Sequence, residues 1–211
     1  KWGEIHTFFI DDGGGYTKIH MLPALIRAGK CTVVDWINLA GSNPLGNPRW
    51  QGADRSLVDG LVAQIEHAHS EHSVDWIFTS TSPGTLSLAS LQALSQLCIP
   101  LVSYWADDKH SYWKLMGDEP GNCPKTSYFD LSWTTSSACV PWYLADGGRA
   151  IFLPEGAERD TFFVHRQGEF EHDVSFVGQK YGQRNSFMRA LNARDIYVET
   201  FGRGWGRTLS W

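Results

Sequence analysis

The chain is 211 residues long, with 42% apolar and 19% charged residues. That composition excludes a disordered chain and suffices for one good core, or for one domain with part of a second. The net charge of −5 argues against a general nucleic-acid binder, which carries a basic face, but leaves room for a local basic pocket that holds a phosphate.

Residues 5–10 are apolar and end at Asp11, Asp12 and three glycines, which predicts a buried strand. Residues 16–28 set Ile19, Leu22, Leu25 and Ile26 at helical spacing, with Gly29 as a stop. A second strand is expected over 31–37. The loop 38–52, rich in Gly, Asn and Pro, is long for a compact domain, and such loops are often functional. Asp54 caps a helix that turns Leu57, Val58, Leu61, Val62 and Ile65 inward. Strands are then expected over 74–79, 99–105, 128–133 and 150–153. Helices are expected between them, one opening at Ser82-Pro83 and running to 97, one over 108–116 and one over 136–144. A loop covers 117–124.

Strands alternating with helices predict an α/β fold, a Rossmann-like parallel sheet with helices on both faces, over residues 1–154. Residues 155–172 break the rhythm and read as a linker. Residues 173–211 read as the first strand, glycine loop, helix and second strand of another Rossmann-like domain. The chain stops soon after that second strand, so this domain is expected to be incomplete.

The ten tryptophans either fill a core or line a cleft where a flat ligand stacks. Among Cys31, Cys98, Cys123 and Cys139 no pair has metal-ligand or redox spacing. Cys31 and Cys98 read as small core residues. A reducing, cytoplasmic location is the default expectation. No signal peptide is visible. No apolar run approaches the roughly 20 residues that span a bilayer, so no transmembrane segment is expected.

In an open parallel sheet, ligands sit outside the carboxyl ends of the strands. The first such loop holds Gly13, Gly14, Gly15 and Tyr16. Its glycines let backbone approach a ligand, and a helix start offers free N–H groups; the alternative is a flexible turn. The spacing is neither the dinucleotide fingerprint nor a phosphate loop with its lysine. Asp107, Asp108 and His110 follow the 99–105 strand, where a general base or hydroxyl-binding group would stand. One of the two acids is expected to cap the next helix. Glu155 is placed to accept hydrogen bonds from a sugar, or else lies in a solvated hinge. Gly178, Gln179 and Arg184 follow the 174–177 strand. A cation at a helix start needs a reason, and either a bound diphosphate or a surface salt bridge supplies one. Glu66, His67, His69 and His72 resemble a metal cluster but read better as the polar end of an amphipathic helix, so no metal is expected. There is no Gly-x-Ser-x-Gly elbow of an α/β hydrolase.

Three stretches carry a family resemblance. One is Tyr143-Leu-Ala-Asp-Gly-Gly148 with Ile151-Phe-Leu-Pro-Glu-Gly156 and Asp160-Thr-Phe162. The second is Asp173-Val-Ser-Phe-Val-Gly178 with Arg184, and the third runs from Val198 to Gly202 and on to Gly204-Trp205. With weaker matches at Gly13 to Gly15 and Asp107-Asp108, the chain resembles the two-domain GT-B glycosyltransferases. Within these it is most similar to the bacterial spore-maturation, CgeB-like group. The resemblance implies an amino-terminal acceptor domain and a carboxy-terminal domain that binds a nucleotide-sugar donor, with the sugar in the interdomain cleft. It implies no cofactor and no obligatory metal, the nucleotide sugar being a co-substrate and a carbohydrate, protein or other hydroxyl compound the acceptor. On it, Gly178 and Arg184 meet the donor and Gly13 to Gly15 approach the transferred sugar. The rival expectation is a non-catalytic carbohydrate- or nucleotide-binding module on the same scaffold. A Rossmann-like oxidoreductase is weaker, because the dinucleotide fingerprint is missing.

Overall fold

The structure, a computed structural model, describes residues 4–11, 16–35, 55–113, 120–163 and 172–206. The chain forms two compact units, Lys1–Phe163 and Val164–Trp211.

The first unit is built on six parallel strands: β1 (Ile5–Asp11), β2 (Gly29–Val33), β3 (Trp76–Ser80), β4 (Leu101–Trp105), β5 (Leu131–Thr134) and β6 (Ala150–Phe152). Their order across the sheet is β2-β1-β3-β4-β5-β6. The chain steps one way from β1 to β2 and the other way thereafter, so the winding reverses between β1 and β3. That reversal makes a doubly wound, Rossmann-like α/β sheet and opens a crevice at the carboxyl ends of β1 and β3.

Period-two alternation sorts the strand residues. Phe8, Ile10, Ile77 and Leu101 point to one face, where α2 (Arg55–Glu71) and α3 (Leu88–Ser95) cover them. The α2 residues that reach this core include Leu61, Ile65 and Ala68, spaced for one helical stripe. Phe9, Phe78 and Tyr104 point to the other face, against Met21, Leu22 and Leu25 of the segment that includes α1 (Leu22–Ala28). Each such side chain contributes roughly 1.5–3 kcal/mol by leaving water.

Several boundaries differ from the sequence reading. The expected 16–28 helix opens as a π turn, Thr17–Met21, before α1 begins. Pro23 has no N–H for the α ladder, and Leu22 N–H reaches back to Thr17 O instead. The helix expected from Ser82-Pro83 begins at Leu88, because Ser87 caps it by accepting from Ser90 N at 3.1 Å. Residues Cys123–Tyr128 form a 3₁₀ turn, which delays β5 to Leu131. A second 3₁₀ turn, Ser137–Cys139, precedes α5 (Val140–Ala145). Of the 108–116 helix, α4 spans Asp108–Ser111, and residues 114–116 lie outside the described residues. The 38–52 loop and Asp54 lie outside them as well.

Cys98 is exposed rather than buried, and Cys31 is half-buried; Cys139 is the buried thiol. None of the described tryptophans is fully buried. Residues 155–163, read from sequence as the start of a linker, stay with the first unit because their polar groups bond to the 16–28 segment and to Tyr104.

In the second unit β7 (Ser175–Val177) and β8 (Glu199–Phe201) pair in parallel, joined through α6 (Arg184–Asn192). No described helix is long and apolar enough to cross a membrane.

Candidate functional site at the carboxyl edge of the sheet

β1 delivers Asp11 to the carboxyl edge. Its Oδ1 accepts from Thr17 Oγ1 at 2.7 Å, which ties the strand end to the π turn on the far side of the glycine loop. Gly13, Gly14 and Gly15 lie outside the described residues. Tyr16, just beyond them, donates its hydroxyl to Gly156 O at 3.0 Å and stacks on Tyr104 with ring centroids 6.3 Å apart. Tyr104, near the end of β4, donates to Glu155 Oε1 at 3.4 Å. The structure thus brings Tyr16 and the Glu155-Gly156 stretch together, with Tyr104 between them. Burial, then the charges of Tyr16 and Glu155, hold the Tyr104 phenol well above its ordinary value, so it stays a donor. Nothing in the sequence singles out Tyr104, which reads as one more strand aromatic.

The acids after β4 divide sharply. Asp108 is 0% exposed. Its Oδ1 accepts from Tyr143 Oη at 2.6 Å and from Asn122 Nδ2 at 2.7 Å. Its Oδ2 has no hydrogen-bond partner among the described residues. Burial raises the Asp108 carboxyl above the usual carboxylate range; the nearby polar groups of Thr134, Tyr143 and Asn122 pull it back, and the charge of Asp107 adds to the rise. In this position Asp108 cannot touch an acceptor, and it serves as an anchor between α4, the 3₁₀ turn and α5.

Asp107 is exposed on a fixed backbone. Its carbonyl accepts from Ser111 Oγ at 2.8 Å and from His110 N at 3.0 Å, and the preceding Ala106 O accepts from Thr135 Oγ1 at 2.7 Å. The Asp107 side chain does not cap α4. Trp105 Nε1 donates to Ser111 Oγ at 2.7 Å and stiffens the same turn. His110 is exposed one turn on. Of the three expected catalytic residues, Asp107 and His110 therefore face solvent.

Lys125 is a residue that sequence reading missed. It is 2% exposed, and its ammonium donates to Pro83 O and, at 2.7 Å, to Leu86 O. It locks the turn between β3 and α3, one of the carboxyl-edge loops. A lysine after Cys123-Pro124 carries no signal of burial.

In the second unit Gly178 N donates to Phe201 O at 2.8 Å, and Gly178 O accepts from Trp205 Nε1 at 2.9 Å. Arg184 donates to Gln179 O at 2.8 Å and to Tyr181 Oη at 3.0 Å, with its guanidinium 4.0 Å from the Tyr181 ring centroid. Arg184 thus closes the loop and stacks on an aromatic face. The Gln179 side chain is exposed.

The histidines of α2 have local partners. His69 Nδ1 accepts from Val74 N at 3.0 Å, and His67 lies 3.7 Å from Glu71. Among the described residues no group of three or more metal-ligating side chains converges. No protein-family model matches the chain, and no curated protein matches it.

Proposed function

We propose that the chain belongs to a glycosyltransferase that moves a sugar from a nucleotide-sugar donor to an acceptor hydroxyl. The observation that carries this reading is Asp107: an exposed carboxylate on a rigid backbone at the carboxyl edge of a doubly wound sheet. Asp107, or His110 one turn away, takes the acceptor proton. The acceptor oxygen becomes bonded to the anomeric carbon, and the nucleoside diphosphate leaves with the electron pair. Glu155, held near Tyr104, accepts from sugar hydroxyls. In the second unit, the first-turn amides of α6 are donors suited to a diphosphate, and Arg184 sets the shape of the loop before them.

The burial of Asp108 away from any acceptor, and the bonds of Arg184 to its own loop, favour a second reading, a carbohydrate- or nucleotide-binding module without turnover. The experiment is to offer a panel of nucleotide sugars to the gene product that carries this chain and to detect released nucleoside diphosphate. Release from one donor is expected, with Asp107→Asn lowering turnover by about 10²–10⁴-fold while leaving donor binding intact. A folded protein that binds but never releases product, with any acceptor, supports the module.

A further inference from the structure

A groove of about 430 Å³ lies on the sheet face opposite α2 and α3. Its floor is Trp76 and Phe78 of β3 and Trp133 of β5. One wall is His20, Met21 and Leu25, and the other is the 156–159 segment. The volume falls in the range of about 300–1,000 Å³ typical of small-molecule sites.

The topology explains the opening. Right-handed crossovers put α1 on one face and the helices of the later connections on the other, because the chain reverses direction across the sheet after β2. On the α1 side Met21, Leu22 and Leu25 pack over Phe78 and Tyr104, while Trp76 and Trp133 beside them stay half-buried and line the opening.

The groove is preformed. Trp76 Nε1 donates to Thr7 Oγ1 at 2.7 Å, and Trp133 Nε1 donates to Leu153 O at 2.9 Å. Both indoles are therefore fixed and their polar demand is met, so a ligand here need only be flat and apolar. The 156–159 wall is tied to the opposite wall at three points. Tyr16 donates to Gly156 O, Glu158 N donates to His20 Nδ1 at 2.9 Å, and Arg27 Nη2 donates to Glu158 Oε2 at 2.7 Å. His20 and Met21 reach the groove from the π turn, a rare geometry that recurs at functional sites.

Charge at the rim selects the other half of the ligand. Glu158 is buried and already paired with Arg27, so their charges cancel. Arg159 is exposed, with a loose 3.9 Å contact to the exposed Asp160, and its charge also acts weakly on the neighbouring Glu158 carboxylate. A guanidinium is thus left to meet an anion at the mouth of an aromatic-floored groove.

We propose that this groove binds a small molecule made of a flat aromatic body and one anionic group, the ring lying on Trp76 and Trp133 and the acid meeting Arg159. The proposal is independent of sugar transfer.

The test titrates naphthoate into the 211-residue chain by calorimetry and tryptophan fluorescence, with naphthylmethylammonium as the matched cation. One-site saturable binding of the acid is expected, about tenfold tighter than the cation and weakening with salt. Ala24 lines the groove between Met21 and Leu25, and Ala24→Phe fills it and lowers affinity for both probes. Arg159→Glu, at an exposed position, abolishes the preference for the acid. The proposal is overturned by absent or non-saturable binding, by equal affinity for acid and cation, or by Arg159→Glu leaving that preference unchanged. A concentration-dependent dimer that excludes naphthoate also overturns it, since a second copy then fills the groove.

Discussion

Tyr143 donates its hydroxyl to Asp108 Oδ1 at 2.6 Å, and the two residues are 2% and 0% exposed. The neighbouring Asp107 stands in solvent. Two adjacent acids thus divide between a packed interior and solvent, and their variants separate the two environments. Tyr143→Phe removes a hydrogen bond to a charged group and is expected to cost about 1.5–3 kcal/mol in urea unfolding. Asp107→Asn is expected to leave that midpoint unchanged.

Asp108 also sets a pH dependence. Burial raises its carboxyl above the ordinary value of 3.8, so the folded state holds the proton more tightly than the unfolded state. The stabilisation is full below about pH 4 and is lost as pH rises through the raised value. The Tm difference between wild type and Asp108→Asn should therefore shift against wild type as pH climbs from 4 towards 8. A difference that stays flat over that range would sink the assignment.

Lys125 places an ammonium against the carbonyls of Pro83 and Leu86. Lys125→Met keeps the length of the side chain and removes the donors. It is expected to cost about 1.5–3 kcal/mol for each charged hydrogen bond lost, and to speed amide exchange in the 82–87 turn. Exchange unchanged there, measured by mass spectrometry, would count against the locking role.

Cys98 has φ +56, just past the end of α3. That left-handed conformation strains a side chain and suits glycine. Cys98→Gly should stabilise the chain by up to about 1 kcal/mol, or roughly 2–4 °C in Tm for a protein of this size. A lower Tm would mean that the thiol contributes more than its strain.

Gly202 has φ +118, and a Cβ there would come within 2.5 Å of Gly178 O. Backbone on both sides leaves nothing to give way. Gly202→Ala should destabilise the second unit by about 1–3 kcal/mol and shift the emission of Trp205, whose indole donates to Gly178 O. An unchanged spectrum and Tm would contradict the close approach.

The first strand was legible because it is a short apolar run bounded by turn residues, and Phe8, Phe9 and Ile10 needed no tertiary information to be read as buried. Helix starts were less so. Pro83 looks like a first-turn proline, yet Ser87 wins because its hydroxyl satisfies an orphan amide. Asp107 and Asp108 look alike in sequence, and only their neighbours tell them apart: Tyr143 and Asn122 are brought to Asp108 from 35 and 14 positions away.

Local chemistry, then, was enough to determine the parallel α/β architecture, since periodicity and turn residues act within a few positions. Tertiary structure alone decided which acid is buried, what Arg184 touches, that Lys125 is inside, and that Trp76 and Trp133 stay half-buried on one sheet face. Each of those depends on groups far apart in the chain meeting at hydrogen-bond distance, and on a winding reversal that the order of elements does not reveal.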